Sequence, residues 1–232
     1  MSPFLKVLIS VTMLALFATA TVIAAGGNKA QIKVLGDFYD FGYVPMDYKV
    51  VHIYQVKNEG AAELNIDKAI TNCDCSSAIV LNKTIAPDST GRIKVIFDTK
   101  QYYGKNTRNV TVHSNDAANP TVVMNYSSDI GVIPREFHTE PQSLLFLPGH
   151  KPRDVKLFNL TGETVSYEIE MEIDSIFVLN ETAGKIKKGS TASVKVTPAD
   201  NLPRGTHYSN FTVSYKTDPE TRVTVPVKIV RY

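Results

Sequence analysis

The chain has 232 residues, 43% hydrophobic and 21% charged, with 25 Lys and Arg against 23 Asp and Glu. That near-balance, without a long basic run, argues against nucleic acid or an anionic membrane surface as a partner held by charge. The length fits two domains of ordinary size.

The N-terminus reads as an export leader. Lys6 is followed by an uncharged stretch, Val7 to Ala25, that ends in small residues, Ala18-Thr19-Ala20 and Ala24-Ala25-Gly26. A charged start, an apolar middle and a small-residue exit describe a signal peptide over residues 1–25. An uncleaved anchor is the alternative, because the stretch is just long enough to span a bilayer. The expected location is therefore the periplasm or the exterior, with membrane contact only if the segment is retained.

Beyond it, apolar and polar residues alternate with the period of half-buried strands. In the first half the inward positions are Val50, His52, Tyr54 and Val56, then Leu64 and Ile66, then Ile93, Val95 and Phe97. Val110 and Val112 follow, then Val122, Met124 and Tyr126. Turn chemistry separates the runs at Asn58-Glu59-Gly60, Pro87-Asp88-Ser89 and Ser114-Asn115-Asp116. A joint is expected at Gly131-Val132-Ile133-Pro134-Arg135, short enough to restrain the two halves yet able to hinge. The second half alternates at Val155 and Leu157, at Val165, Tyr167, Ile169 and Met171, and at Val194 and Val196. It continues with Phe211, Val213 and Tyr215, and closes with Val223, Val225, Val227 and Ile229.

The two halves repeat at an offset of 101 residues. Asn58 matches Asn159, Ser89-Thr90 matches Ser190-Thr191, and Gly104 matches Gly205. Asn109-Val110-Thr111-Val112 matches Asn210-Phe211-Thr212-Val213. The period exceeds that of a solenoid and equals one β-sandwich. The expected fold is all-β: two tandem immunoglobulin-like β-sandwich domains, 30–132 and 136–232, after the N-terminal signal segment.

Several short motifs of the first half stand in one order: Asp40-Phe41-Gly42-Tyr43-Val44, then Val50 to Gly60, Cys73-Asp74-Cys75, Ile85-Ala86-Pro87, Ile93 to Thr99, and Val112 to Asp116. Residues 37 to about 130 thereby resemble the bacterial immunoglobulin-like domain of unknown function with a Cys-x-Cys signature, a relative of the ASH (hydin-like) and major sperm protein modules. The residue between the cysteines is commonly Gly in that family and is Asp74 here. The resemblance implies a non-enzymatic β-sandwich and names no partner.

Cys73 and Cys75 are the only cysteines. Export favours a disulfide, whereas i and i+2 Cα atoms of an extended strand lie about 6.5–7 Å apart, at the limit of bridging. A bridge in a bent turn, two free thiols, a soft-metal site such as Cu(I) and a redox pair all remain open. The five histidines are scattered, and His52 reads as a packed core residue. Glu168, Glu170, Glu172 and Asp174 alternate with apolar residues and read as the solvated face of one strand. Asn82, Asn109, Asn125, Asn159, Asn180 and Asn210 each begin Asn-x-Ser/Thr, where composition alone predicts about two such triplets. No nucleophile elbow, phosphate loop or dinucleotide fingerprint is present. No enzymatic activity, catalytic residue, cofactor or metal is expected. The expected function is binding or scaffolding of another envelope or surface protein. The alternatives are a periplasmic pilus-type assembly chaperone and a copper or redox protein using Cys73 and Cys75.

Overall fold

The computed structural model describes residues 29–172 and 175–232, so the expected leader lies outside the described residues. Those residues form strands and turns only, as the alternation requires. The first half contributes β1 (Ile32–Leu35), β2 (Phe38–Val44), β3 (Lys49–Asn58), β4 (Leu64–Thr71), β5 (Ser76–Val80), β6 (Thr84–Ile85), β7 (Thr90–Asp98), β8 (Gly104–Ser114) and β9 (Thr121–Ile130). The second contributes β10 (Phe137–Glu140), β11 (Leu144–Phe146), β12 (Arg153–Asn159), β13 (Val165–Met171), β14 (Phe177–Leu179), β15 (Ala183–Ile186), β16 (Ser190–Pro198), β17 (Gly205–Tyr215) and β18 (Thr221–Arg231).

The two halves are wired alike. A four-stranded sheet β1-β3-β7-β5 in the first half has its counterpart in β10-β12-β16-β14. The facing order β6-β4-β8-β9 has its counterpart in β15-β13-β17-β18. In each half a short strand also runs parallel to the last one: β2 beside β9, and β11 beside β18. Each half closes over its own apolar cluster. Phe41, Tyr54, Phe97, Met124 and Tyr126 are among the residues of the first, and Phe146, Phe177, Phe211, Tyr215 and Ile229 of the second. Alternate residues supply the clusters because successive side chains leave a strand on opposite faces.

The 101-residue offset has a structural cause. Asn58 and Asn159 are both fully buried. Asn58 Nδ2 donates to Ala62 O at 2.8 Å and Ile85 O at 3.0 Å, while its Oδ1 accepts Gly60 N–H at 3.0 Å. Asn159 Nδ2 donates to Glu163 O at 2.8 Å and Ile186 O at 3.0 Å, while its Oδ1 accepts Thr161 N–H at 3.0 Å. One amide thus closes its own turn and ties it to a second loop, satisfying buried carbonyls that would otherwise lack partners.

Asp116 performs a related task in the first half only. Its carboxylate accepts Ile32 N–H at 2.9 Å, Ala118 N–H at 2.8 Å and Asn119 N–H at 3.2 Å. Burial pushes its pKa up, but these donors outweigh burial and hold it below the usual carboxylate value. A folded-state pKa below the unfolded one gives stability that is present above about pH 4 and fades as pH falls through the folded value. Asp116→Asn is therefore expected to cost about 1–3 kcal/mol at pH 7. Thermal denaturation of both proteins along a pH series should show that gap closing below about pH 4.

Candidate functional site

The sheet β1-β3-β7-β5 has two stretches of open edge. β1 pairs with β3 only from Gln55 to Asn58, so Lys49 to Tyr54 project beyond it. At the opposite margin, β5 pairs with β7 alone among the described residues.

The second half of the chain covers the first of these edges. Val51 N–H donates to Asn210 Oδ1 at 2.6 Å, and Ile53 N–H donates to Glu172 Oε1. These amides are two residues apart and point the same way, as strand geometry demands. Side-chain oxygens stand there in place of a neighbouring strand. Glu172 uses its other oxygen on His52 Nδ1 at 3.0 Å, and its side chain is only 5% exposed. His52 stacks on Tyr39 with ring centroids 3.7 Å apart.

A file of buried hydroxyls continues the contact. Tyr39 OH lies 3.2 Å from Thr212 Oγ1, which lies 2.8 Å from Thr224 Oγ1, which donates to Phe41 O at 2.5 Å. Arg222 donates from Nε to Asp40 O at 2.7 Å and lies over the Tyr39 ring, 5.3 Å from its centroid. Burial holds the Tyr39 phenol well above its usual pKa, reinforced by Glu170 and Glu172, so it stays protonated and able to donate. β18 bridges β2 at Val223 and Tyr43, which makes one continuous sheet across both halves. The hinge allowed for residues 131–135 is thus spanned by direct hydrogen bonds.

One sequence expectation changes here in part. The acid row is a solvated face only in part: Glu168 and Glu170 are exposed, pairing with Lys216 at 2.9 Å and with Arg222 at 3.2 Å, whereas Glu172 is buried in the seam. Asp174 lies outside the described residues. Two of the Asn-x-Ser/Thr triplets begin at residues that are buried and engaged, Asn159 and Asn210, and so do not present their amides to solvent. The excess of Asn-x-Thr triplets has a physical source in part: Thr161 closes the Asn159 turn through Oγ1 at 2.6 Å, and Thr212 lies beside Asn210 in the seam. His52 is packed and hydrogen-bonded as expected: its ring lies against Tyr39, Phe41 and Tyr54 of its own half, and its Nδ1 meets Glu172 of the other. The other histidines do not converge on it. His113 faces Thr121, His138 stacks on Phe158, and His207 bonds Pro203 O. Among the described residues no His, Cys, Asp and Glu side chains group as a metal site.

The second open edge belongs to β5, and the Cys73–Cys75 turn leads into it. The structure joins these cysteines with Cα atoms 5.2 Å apart, because the chain bends out of β4 instead of continuing as a strand. As bonded, neither sulfur is a thiolate available to a soft metal. Ser76 Oγ lies 3.3 Å from Cys73 Sγ and 3.7 Å from Cys75 Sγ, and it contacts Tyr126 OH.

Register defines the outer face of this sheet. Ile53, Lys94 and Ile79 form one cross-strand row, and Ile96 and Ser77 belong to the next, whose third member, Val51, is fully buried. Gln55 stands opposite Arg92, whose carbonyl accepts Leu81 N–H at 3.0 Å. Ile79 is 45% and Leu81 42% exposed. Partial burial lowers the pKa of the Lys94 ammonium among these aliphatic neighbours. The surface is an aliphatic patch centred on two cations and bordered by the unpaired margin of β5. Single-sequence reasoning missed it because alternation marks which residues point outward and not which outward residues lie side by side.

Residues 32–127 match the model of a family described as "Protein of unknown function (DUF1573)". No curated protein matches the chain at a significant level. Among solved structures the chain is similar to the CsuC–CsuE chaperone–tip adhesion subunit pre-assembly complex of Acinetobacter baumannii, at 18% identity and TM-score 0.37. That match covers 40% of this chain and 56% of the other, so the chain spans little more than half of that relative. WR4, an MSP family member of Caenorhabditis elegans, is 7% identical with TM-score 0.36 over 41% of this chain and 98% of that one. The ASH/PapD-like domain 7 of human CEP192 is 9% identical with TM-score 0.36 over 53% and 96%.

The seam leaves no room at Gly42, where φ is +63° and an added Cβ would lie 2.2 Å from Arg222 O. Gly42→Ala should therefore destabilise the protein by about 2 kcal/mol or more, since both the backbone and the β2–β18 contact must shift. Thermal or urea denaturation checks this. A control at Gly36, where nothing lies within 4 Å of an added Cβ, should show a smaller loss from its positive φ alone.

Proposed function

We propose that this chain is an exported, non-enzymatic protein of two immunoglobulin-like sandwiches that binds or scaffolds another protein of the cell envelope or surface. The observation that carries this reading is the contrast between the two edges of one sheet. The β3 edge is capped by the chain's own second half, and the β5 edge has no such cap among the described residues. An unpaired strand margin with exposed aliphatic side chains is a template for an added strand. Main-chain hydrogen bonds along β5 would supply affinity. The patch of Ile53, Ile79, Leu81 and Ile96 around Lys94 and Arg92 would select a segment with alternating apolar residues and a carboxylate. The seam supports the same reading, because it holds this face at a fixed angle to the rest of the molecule.

Replacing Ile79 and Leu81 together by Asp tests the assignment. Both side chains are exposed, so stability should change by no more than about 0.5 kcal/mol per site. Binding of a partner cross-linked to wild-type protein in envelope extract should fall about tenfold or more, equivalent to ~1.4 kcal/mol. Val178→Asp, on the β14 edge of the second half, serves as the control and should bind normally. Unchanged binding by the double variant, or equal loss by the control, would remove β5 as the docking edge.

A further inference from the structure

We propose that the Cys73–Cys75 bridge is a thiol–disulfide exchange site that accepts two electrons from a protein dithiol while the fold stays intact. The bridge is a poor structural cross-link. Only Asp74 separates its ends, so closing the loop removes little entropy from the unfolded chain. The turn is already held without it. Asp98 N–H donates to Cys75 O at 2.8 Å, and Thr71 Oγ1 lies 3.1 Å from Cys73 O and 3.0 Å from Ser76 O. Asn72 N–H donates to Asn109 O at 3.3 Å. Opening the bridge breaks none of these.

The surroundings distinguish the two sulfurs. Cys75 lines an open surface groove of about 410 Å³ with Asp74, Asp98, Lys100 and Tyr102. Cys73 has the closer hydroxyl, Ser76 Oγ at 3.3 Å. Burial keeps the Tyr126 phenol protonated, so it can donate to Ser76 Oγ and leave the serine proton free for sulfur. An incoming thiolate therefore attacks Cys75 Sγ from the groove. The new bond is a mixed disulfide at Cys75. The bond that breaks is Cys75–Cys73, and its electron pair leaves on Cys73 Sγ, where Ser76 O–H stabilises the developing thiolate. The second thiol of the donor, once deprotonated, attacks its own sulfur in the mixed disulfide and releases Cys75 as the other thiolate. The two cysteines take up the two protons lost by the donor. In sum, one protein disulfide is reduced and one dithiol becomes a disulfide.

The purified oxidised protein provides the test, with reduced glutathione and a Cys-x-x-Cys peptide as the two probes and thiols counted by maleimide mass shift. The bridge should open in both without denaturant, with an unchanged near-ultraviolet circular dichroism spectrum, and the peptide should be oxidised one for one. Ser76→Ala should slow opening about three- to tenfold, as expected for one lost hydrogen bond to the leaving sulfur. With oxidised glutathione, Cys73→Ser should form its mixed disulfide at Cys75 faster than Cys75→Ser does at Cys73. A bridge that opens only in denaturant, opening that abolishes the folded spectrum, or equal trapping at both sulfurs would overturn the proposal. Each of these readouts is independent of partner binding at β5.

Discussion

Two side-chain oxygens, Asn210 Oδ1 and Glu172 Oε1, occupy the positions where another strand would bond Val51 and Ile53 of β3. Much of the remaining architecture follows from that substitution. A strand edge is unsatisfied on every second residue, and burying it without acceptors would cost several hydrogen bonds. Once the second half supplies the acceptors, the surface around them must be polar yet dry. That is why β17 is buried on both faces along Ser209 to Tyr215. One face carries Phe211, Val213 and Tyr215 into its own core, and the other carries Asn210, Thr212 and Ser214 toward the seam. Hydroxyls serve there because each both donates and accepts, so a file from Tyr39 through Thr212 and Thr224 to Phe41 O can satisfy itself without water.

The two halves share a plan and differ where the plan meets this constraint. The buried amides of Asn58 and Asn159 do the same work at equivalent turns. β3, however, runs six residues beyond its pairing with β1, whereas β12 begins only three residues before its pairing with β10. The first half therefore has a long edge to cover and the second does not. β2 serves both, lying beside β9 in its own sandwich and touching β18 of the other at Tyr43. With one margin of the β1-β3-β7-β5 sheet committed internally, its open margin is that of β5, which pairs with β7 alone among the described residues.

The strands were legible in the sequence because a half-buried strand writes its burial as alternation. Val50, Tyr54 and Val56 of β3, Ile93, Val95 and Phe97 of β7, and Phe211, Val213 and Tyr215 of β17 all face inward as their spacing requires. The repeat was legible because it preserves functional groups such as Asn58 and Asn159 at one offset. The seam was not legible. Asn210, Thr212 and Thr224 have the polarity of solvated residues, and only the approach of the other half makes them interior. Glu172 looked like its neighbours Glu168 and Glu170 for the same reason. The cysteine pair lay between these cases. Spacing limited what Cys73 and Cys75 could do, but the bend that brings their Cα atoms to 5.2 Å is a property of the crossing from β4 to β5. The aliphatic patch needed register, which alternation alone does not encode.

Amide hydrogen exchange at Val51 and Ile53 tests the capped edge most directly. If Asn210 and Glu172 hold these N–H groups, their protection should approach that of the core amides of β7. It should then drop selectively in Asn210→Ala and Glu172→Ala while β7 stays slow. Rapid exchange at both positions in the wild-type protein, at the rate of an exposed strand margin, would show that the two halves part in solution and that the seam does not organise the molecule.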